Sequence, residues 1–114
     1  MFKYFQLSDF DCQETGENEM SPDFIHRLDH LRDCCAFPFV VYSGYRSPKH
    51  SLECTKVTPG THAQGIAADI RCTEGINRRK LVRLALEQGF GGVGTAKSYV
   101  HIDDRKTIPV LWTY

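Results

Sequence analysis

The 114-residue chain lacks a charge excess of either sign: 14 Lys and Arg face 14 Asp and Glu, for a formal net charge of zero. A general nucleic-acid or anionic-membrane binder carries a basic surplus, so neither class is expected here, although a local basic patch is not excluded. The chain also lacks a long apolar run, and nothing in it approaches the roughly 18 residues of a membrane span. Its opening, "MFKYFQLSDFDCQ", has neither an extended apolar region nor a small-residue cleavage site. No signal peptide is expected, and synthesis in the cytoplasm is. Repeats and low-complexity tracts are missing. So is any C-x-x-C pair: Cys12, Cys34, Cys35, Cys54 and Cys72 are odd in number and badly spaced for a zinc knuckle. Reduced, partly buried thiols are the expected state.

What is present is an ordinary globular composition and enough length for one core, so residues 1–114 read as a single domain and a monomer. After a polar stretch at 12–20, Ser21, Pro22 and Asp23 supply an N-cap, a first helical residue and a first-turn acid. Phe24, Leu28, Leu31 and Cys35 then recur on one helical face. "FPFVVYS" at 37–43 reads as a buried strand, and residues 44–61 as a long irregular segment of the kind that is usually functional. "GIAADIR" reads as a strand, and "NRRKLVRLALEQGF" as a helix capped by Asn77 and stopped by Gly89. "GGVGT", "YVHID" and "TIPVLWTY" read as further short strands. The expected fold is α+β, with helices packed on a small antiparallel sheet.

Several polar residues invite chemistry. His26 and His30 have the i, i+4 spacing of a zincin helix, but Arg27 stands where that motif needs glutamate, and a solvated face is expected. In "GIAADIR", alternation sets Asp69 opposite an apolar face. In "SYVHIDDR" it sets Tyr99, His101 and Asp103 together, with Asp104 pointing away. Two histidines, His62 and His101, plus Asp69 make a catalytic zinc set with room for a water. From the residues alone, a hydrogen-bonded polar pair in the sheet is the preferred reading. His50 reads as a surface histidine, Trp112 and Tyr114 as core aromatics before cleft wall, and Arg78, Arg79 and Lys80 as a solvated helix start.

"SGYRSP" (43–48), "GTHAQGIAADI" (60–70) and "YVHID" (99–103) resemble, in order, the motifs of the M15 family of zinc peptidases, and most closely its D-alanyl-D-alanine carboxypeptidase branch of bacteria and bacteriophages. The resemblance covers the chain from about residue 5 to its end. It implies a hedgehog-like fold, with His62, Asp69 and His101 as zinc ligands and Arg46 holding a substrate carboxylate. It also implies a peptidase acting on peptidoglycan stem peptides at a cell wall, reached by phage lysis or from a virion. One departure stands out. Many members have glutamate three residues before the last histidine, and here that position is Ser98. Asp103, on the His101 face, becomes the candidate catalytic base, with a role in orienting the histidine equally open. A catalytically weak or inactive zinc-binding module is the alternative function.

Overall fold

A computed structural model describes residues 2–114. A short 3-10 helix, Leu7–Phe10, precedes α1, Pro22–Cys35. The helix begins where expected, with the Ser21 hydroxyl accepting from the Phe24 N–H at 3.3 Å and Pro22 in the first turn. It ends at Ala36, whose φ of 60° lies in the left-handed region. Phe24, Ile25, Leu28, Leu31 and Cys35 form its buried face, while His26 and His30 are exposed.

The strands are β1 (Val41–Ser43), β2 (Ala67–Arg71), β3 (Gly92–Thr95), β4 (Tyr99–Asp103) and β5 (Val110–Thr113), with α2 (Gly75–Glu87) between β2 and β3. Their order across the sheet is β1-β2-β4-β3-β5. The fold is α+β, as the sequence pattern implies. The sheet is mixed rather than wholly antiparallel, because β5 runs parallel to β3. The connection from β4 to β5 must therefore carry the chain across β3 to its far edge.

Three local expectations change. β1 is shorter than residues 37–43 and only half-buried, since it lies at an edge and has a neighbour on one side only. α2 starts two residues before Asn77, with Glu74 at the cap position. Arg78 is not a solvated residue: its guanidinium donates to the Cys72 carbonyl at 2.7 Å and the Ala96 carbonyl at 2.8 Å, tying the helix start to the β3–β4 turn. Gly89 does mark the helix end, with φ +81°.

One sheet face carries Ala68, Ile70, Val93, Val100 and Ile102 into the core with the buried faces of α1 and α2. The period of two then turns Asp69, His101 and Asp103 to the other face. Pairing aligns Ser43, Asp69, His101, Gly94 and Trp112 in one row across the strands. Ala67, Asp103, Gly92 and Val110 form the next. The two glycines are needed for clearance. A Cβ at Gly94 would sit 2.5 Å from the Trp112 ring, and one at Gly92 would sit 2.3 Å from an Asp103 carboxylate oxygen. Gly92→Ala is expected to cost about 1–3 kcal/mol of stability, the range for overpacking, read from denaturant unfolding. An unchanged midpoint would mean that the Asp103 carboxylate moves freely.

Candidate metal centre

Backbone pairing across β2 and β4 sets Asp69 directly opposite His101. The third residue, His62, lies outside the sheet, at the end of the irregular segment that begins after β1. Two contacts bring it in. The Arg46 N–H donates to the His62 carbonyl at 3.3 Å, and His62 Nδ1 lies 2.7 Å from the Gly44 carbonyl oxygen. The turn after His62 closes through Gly65, whose φ is +76°, where a Cβ would meet the Glu19 carbonyl at 2.3 Å. The small residues around His62 thus let this segment close against the β2 entry and the chain preceding α1.

Each histidine turns one ring nitrogen to an acceptor outside the group and the other to Asp69. The Gly44 carbonyl only accepts, so His62 Nδ1 carries a proton, and Nε2 is turned to Asp69, 3.3 Å from Oδ1. His101 Nε2 lies 2.7 Å from Asp103 Oδ2, and that carboxylate is held by the Arg105 side chain and backbone N–H. His101 thus stands between two carboxylates, donating to Asp103 through Nε2 and placing Nδ1 2.9 Å from Asp69 Oδ1, where either a proton or a cation can bridge the two. Three buried ligand atoms, one from each residue, face one another, all within 4.8 Å. Such a cluster needs a proton or a cation in its midst. A tetrahedral ion with bonds of about 2.0–2.1 Å spaces its donors by a little over 3 Å, which suits this set. Each imidazole has its remote N–H bound to an acceptor, the arrangement that fixes metal-ligating histidines.

The electrostatics agree. Burial opposes charge on Asp69, but hydrogen bonds with His101 and His62 outweigh it and hold the carboxyl well below its usual range. Burial likewise opposes a charged His101, yet Asp103 and Asp69 pull its pKa upward. Against its own burial, Asp103 is kept ionised by His101 and Arg105. The site thus holds two fixed carboxylates and draws positive charge to itself.

The His62–Asp69–His101 group forms one side of an open cavity of about 730 Å³. Arg46 lines it too, with Nη2 3.6 Å from Asp69 Oδ2. Asp103 is fully buried and is not among the side chains lining this cavity. Asp104 points away and pairs with Arg27. Ser98 offers no carboxylate; its carbonyl accepts from the Cys72 N–H at 2.9 Å. His50 lies outside the cavity wall and pairs with Glu14 at 3.1 Å. Trp112 is a half-buried wall residue rather than core, with its ring 5.2 Å from that of His101 and the Arg105 guanidinium 5.0 Å from its centre. Tyr114 is exposed and lines the same cavity, because the sheet face carrying β5's inward positions is the open one.

Two participants escaped the sequence reading. Arg105 clamps Asp103, and the signal was its position two residues on, at a strand end. Glu53 is a buried carboxylate in the cavity wall, accepting from Lys56 Nζ at 2.7 Å and the Gly60 N–H at 3.1 Å. Nothing periodic marks it, since its segment has no regular structure.

The family model described as Peptidase M15 matches residues 3–103, a span containing all the residues of the metal group and Arg46. No curated protein sequence matches the chain.

Proposed function

The chain belongs to the Peptidase M15 family, and on that premise we propose that it is a zinc-dependent peptidase cleaving peptidoglycan stem peptides. The observation that carries the reading is the convergence of three buried ligand atoms on an open cavity. Zinc, if held there, would supply Lewis acidity toward the scissile carbonyl and would acidify a water. The residues of the chain do the rest. His62, Asp69 and His101 hold the ion, with the Gly44 carbonyl and the Asp103–Arg105 pair fixing both rings. Arg46 stands at the cavity to receive a substrate carboxylate through its planar fork of donors.

The placement of Asp103 supports an orienting role over that of base, because its oxygens are occupied by His101 and Arg105 and it lies out of the cavity. Among the described residues, Asp69 and Glu53 are the carboxylates on the cavity wall. The same observation favours the second reading, a zinc-binding module with weak or no turnover. Hydrolysis separates the two. Protein purified without chelator is assayed for zinc content and for turnover of a stem peptide with a free terminal carboxylate. About one zinc per chain and activity that chelation abolishes and zinc restores are expected. Stoichiometric zinc with no turnover would leave the binding module.

Arg46→Ala is expected to raise KM about 10- to 100-fold, the value of a hydrogen bond to a charged group, with zinc content unchanged. Arg46→Lys should recover only part of this. Wild-type KM in Arg46→Ala would remove the assignment. No helix among the described residues is long and apolar enough to cross a membrane. Action at a cell wall after release is part of the proposal.

A further inference from the structure

Beside the metal group runs a row of aromatic rings that the peptidase reading does not use. From Trp112 the row passes to Tyr114, Tyr99 and Tyr42, in ring-to-ring steps of 6.1, 5.6 and 6.4 Å. Its near end touches the metal centre, since Trp112 lies 5.2 Å from the His101 ring. The placement follows from strand alternation. Tyr99 precedes His101 by two residues on β4, and Tyr114 follows Trp112 by two at the end of β5, so all four share the open sheet face. Tyr99, Trp112 and Tyr114 line the same cavity as His62, Asp69 and His101. Tyr42 continues the row onto β1, where its ring is exposed.

We propose that this row is a saccharide subsite, taking successive sugar rings of a glycan whose attached peptide reaches the metal centre. The chemistry chooses the occupant. The three tyrosines each offer a ring face with a phenol hydroxyl at its edge, and Trp112, packed against Gly94 with the Arg105 guanidinium over its ring, adds its indole N–H at the end beside the metal group. An aliphatic or aromatic peptide side chain laid along the row would cover the faces but strip water from those edges without replacing its hydrogen bonds. A pyranose has an apolar C–H face and a rim of hydroxyls, and satisfies both. The row is also open and elongated, as a chain of sugars requires, where a single side chain would favour an enclosed pocket. The link to hydrolysis rests on the peptidase reading. Binding of the sugar does not.

Trp112 is the sole tryptophan in the sequence, so its fluorescence reports on the row directly. The test titrates the full chain, held metal-free with chelator, with the tetramer of β-1,4-linked N-acetylglucosamine. A saturable change at millimolar concentration or below is expected. Tyr114→Ala and Tyr42→Ala should each weaken it about tenfold, one factor of 1.4 kcal/mol. Tyr114→Phe, which keeps the ring face, should lose less. Tyr114 and Tyr42 are exposed, so these variants are expected to fold, and Tyr114→Phe guards against the case that one does not. No saturable change, or equal affinity in both alanine variants, overturns the proposal. So does a sugar-free tetrapeptide that saturates the signal in the same Tyr114-dependent way, which would make the row a peptide subsite. Sugar binding without hydrolysis would sink the peptidase reading alone. Hydrolysis without sugar binding would sink the subsite alone.

Discussion

His101→Ala is expected to lose zinc binding and about three orders of magnitude in turnover, while the fold survives. The reasoning starts from the ligand atoms. With His101 gone, His62 Nε2 and Asp69 remain on one side of the site, and Arg46 stands 3.6 Å from Asp69 Oδ2, ready to neutralise it. A two-ligand remnant beside a guanidinium is a poor zinc site. The metal's share of transition-state stabilisation is several kcal/mol, and at 1.36 kcal/mol per tenfold its loss gives the stated fall. The fold is retained because Asp103 keeps its Arg105 clamp and the β2–β4 ladder is made by backbone. His62→Ala should behave alike. Zinc is best measured in a His30→Ala background, since His30 Nε2 and Cys34 Sγ stand 3.7 Å apart on the exposed face of α1 and offer a second, two-ligand surface site. Tight stoichiometric zinc in the His62→Ala, His101→Ala double variant would overturn the metal assignment.

Much of this site is legible in the sequence because strands report their faces. Alternation in "GIAADIR" and "SYVHIDDR" places Asp69, His101 and Asp103 on one side with no knowledge of pairing. α1 is equally plain, since its cap and its apolar stripe agree. The position of His62 is different. It follows from long-range closure, with the Gly44 carbonyl and the Arg46 N–H reaching an irregular segment, and no local pattern encodes that. The parallel β5 escaped for a similar reason: the strand's own residues are the same whichever neighbour it joins. "GGVGT" reads as a short strand from the sequence, but the reason for its glycines appears only in the register, which lays Asp103 and Trp112 over Gly92 and Gly94. Glu53 was hidden because its burial is decided by the cavity wall, which only the folded chain contains.

Asp103→Asn separates two roles that share one residue. As a base, Asp103 would accept the proton of a zinc-bound water, and the amide would lose about 10²–10⁴-fold in rate however much zinc is added. The geometry supports another outcome. Asp103 is fully buried, takes the N–H of His101 at 2.7 Å and is held by Arg105 at 2.7 Å. An amide there can still accept from His101 through its oxygen, but it faces Arg105 with an NH2 group where a charged acceptor stood. His101 then loses both a firm orientation and the negative charge that makes Nδ1 a better ligand. The expected result is zinc affinity weakened about 10- to 100-fold, the range for groups that brace a ligand, with the rate restored at saturating zinc. Arg105→Ala should show the same pattern more weakly, because it leaves the carboxylate in place. Chelator competition measures the affinity without any assay of turnover. A rate that stays low at saturating zinc would restore Asp103 as the base. If it recovers, the proton goes to a water chain, to the Tyr99 phenol or to another carboxylate of the cavity. Glu53 is then the variant to make, buried at the wall and kept ionised against its burial by Lys56 and the Gly60 N–H. Glu53→Gln should bind zinc normally and lose about 10²–10⁴-fold in kcat, a loss that no excess of zinc repairs.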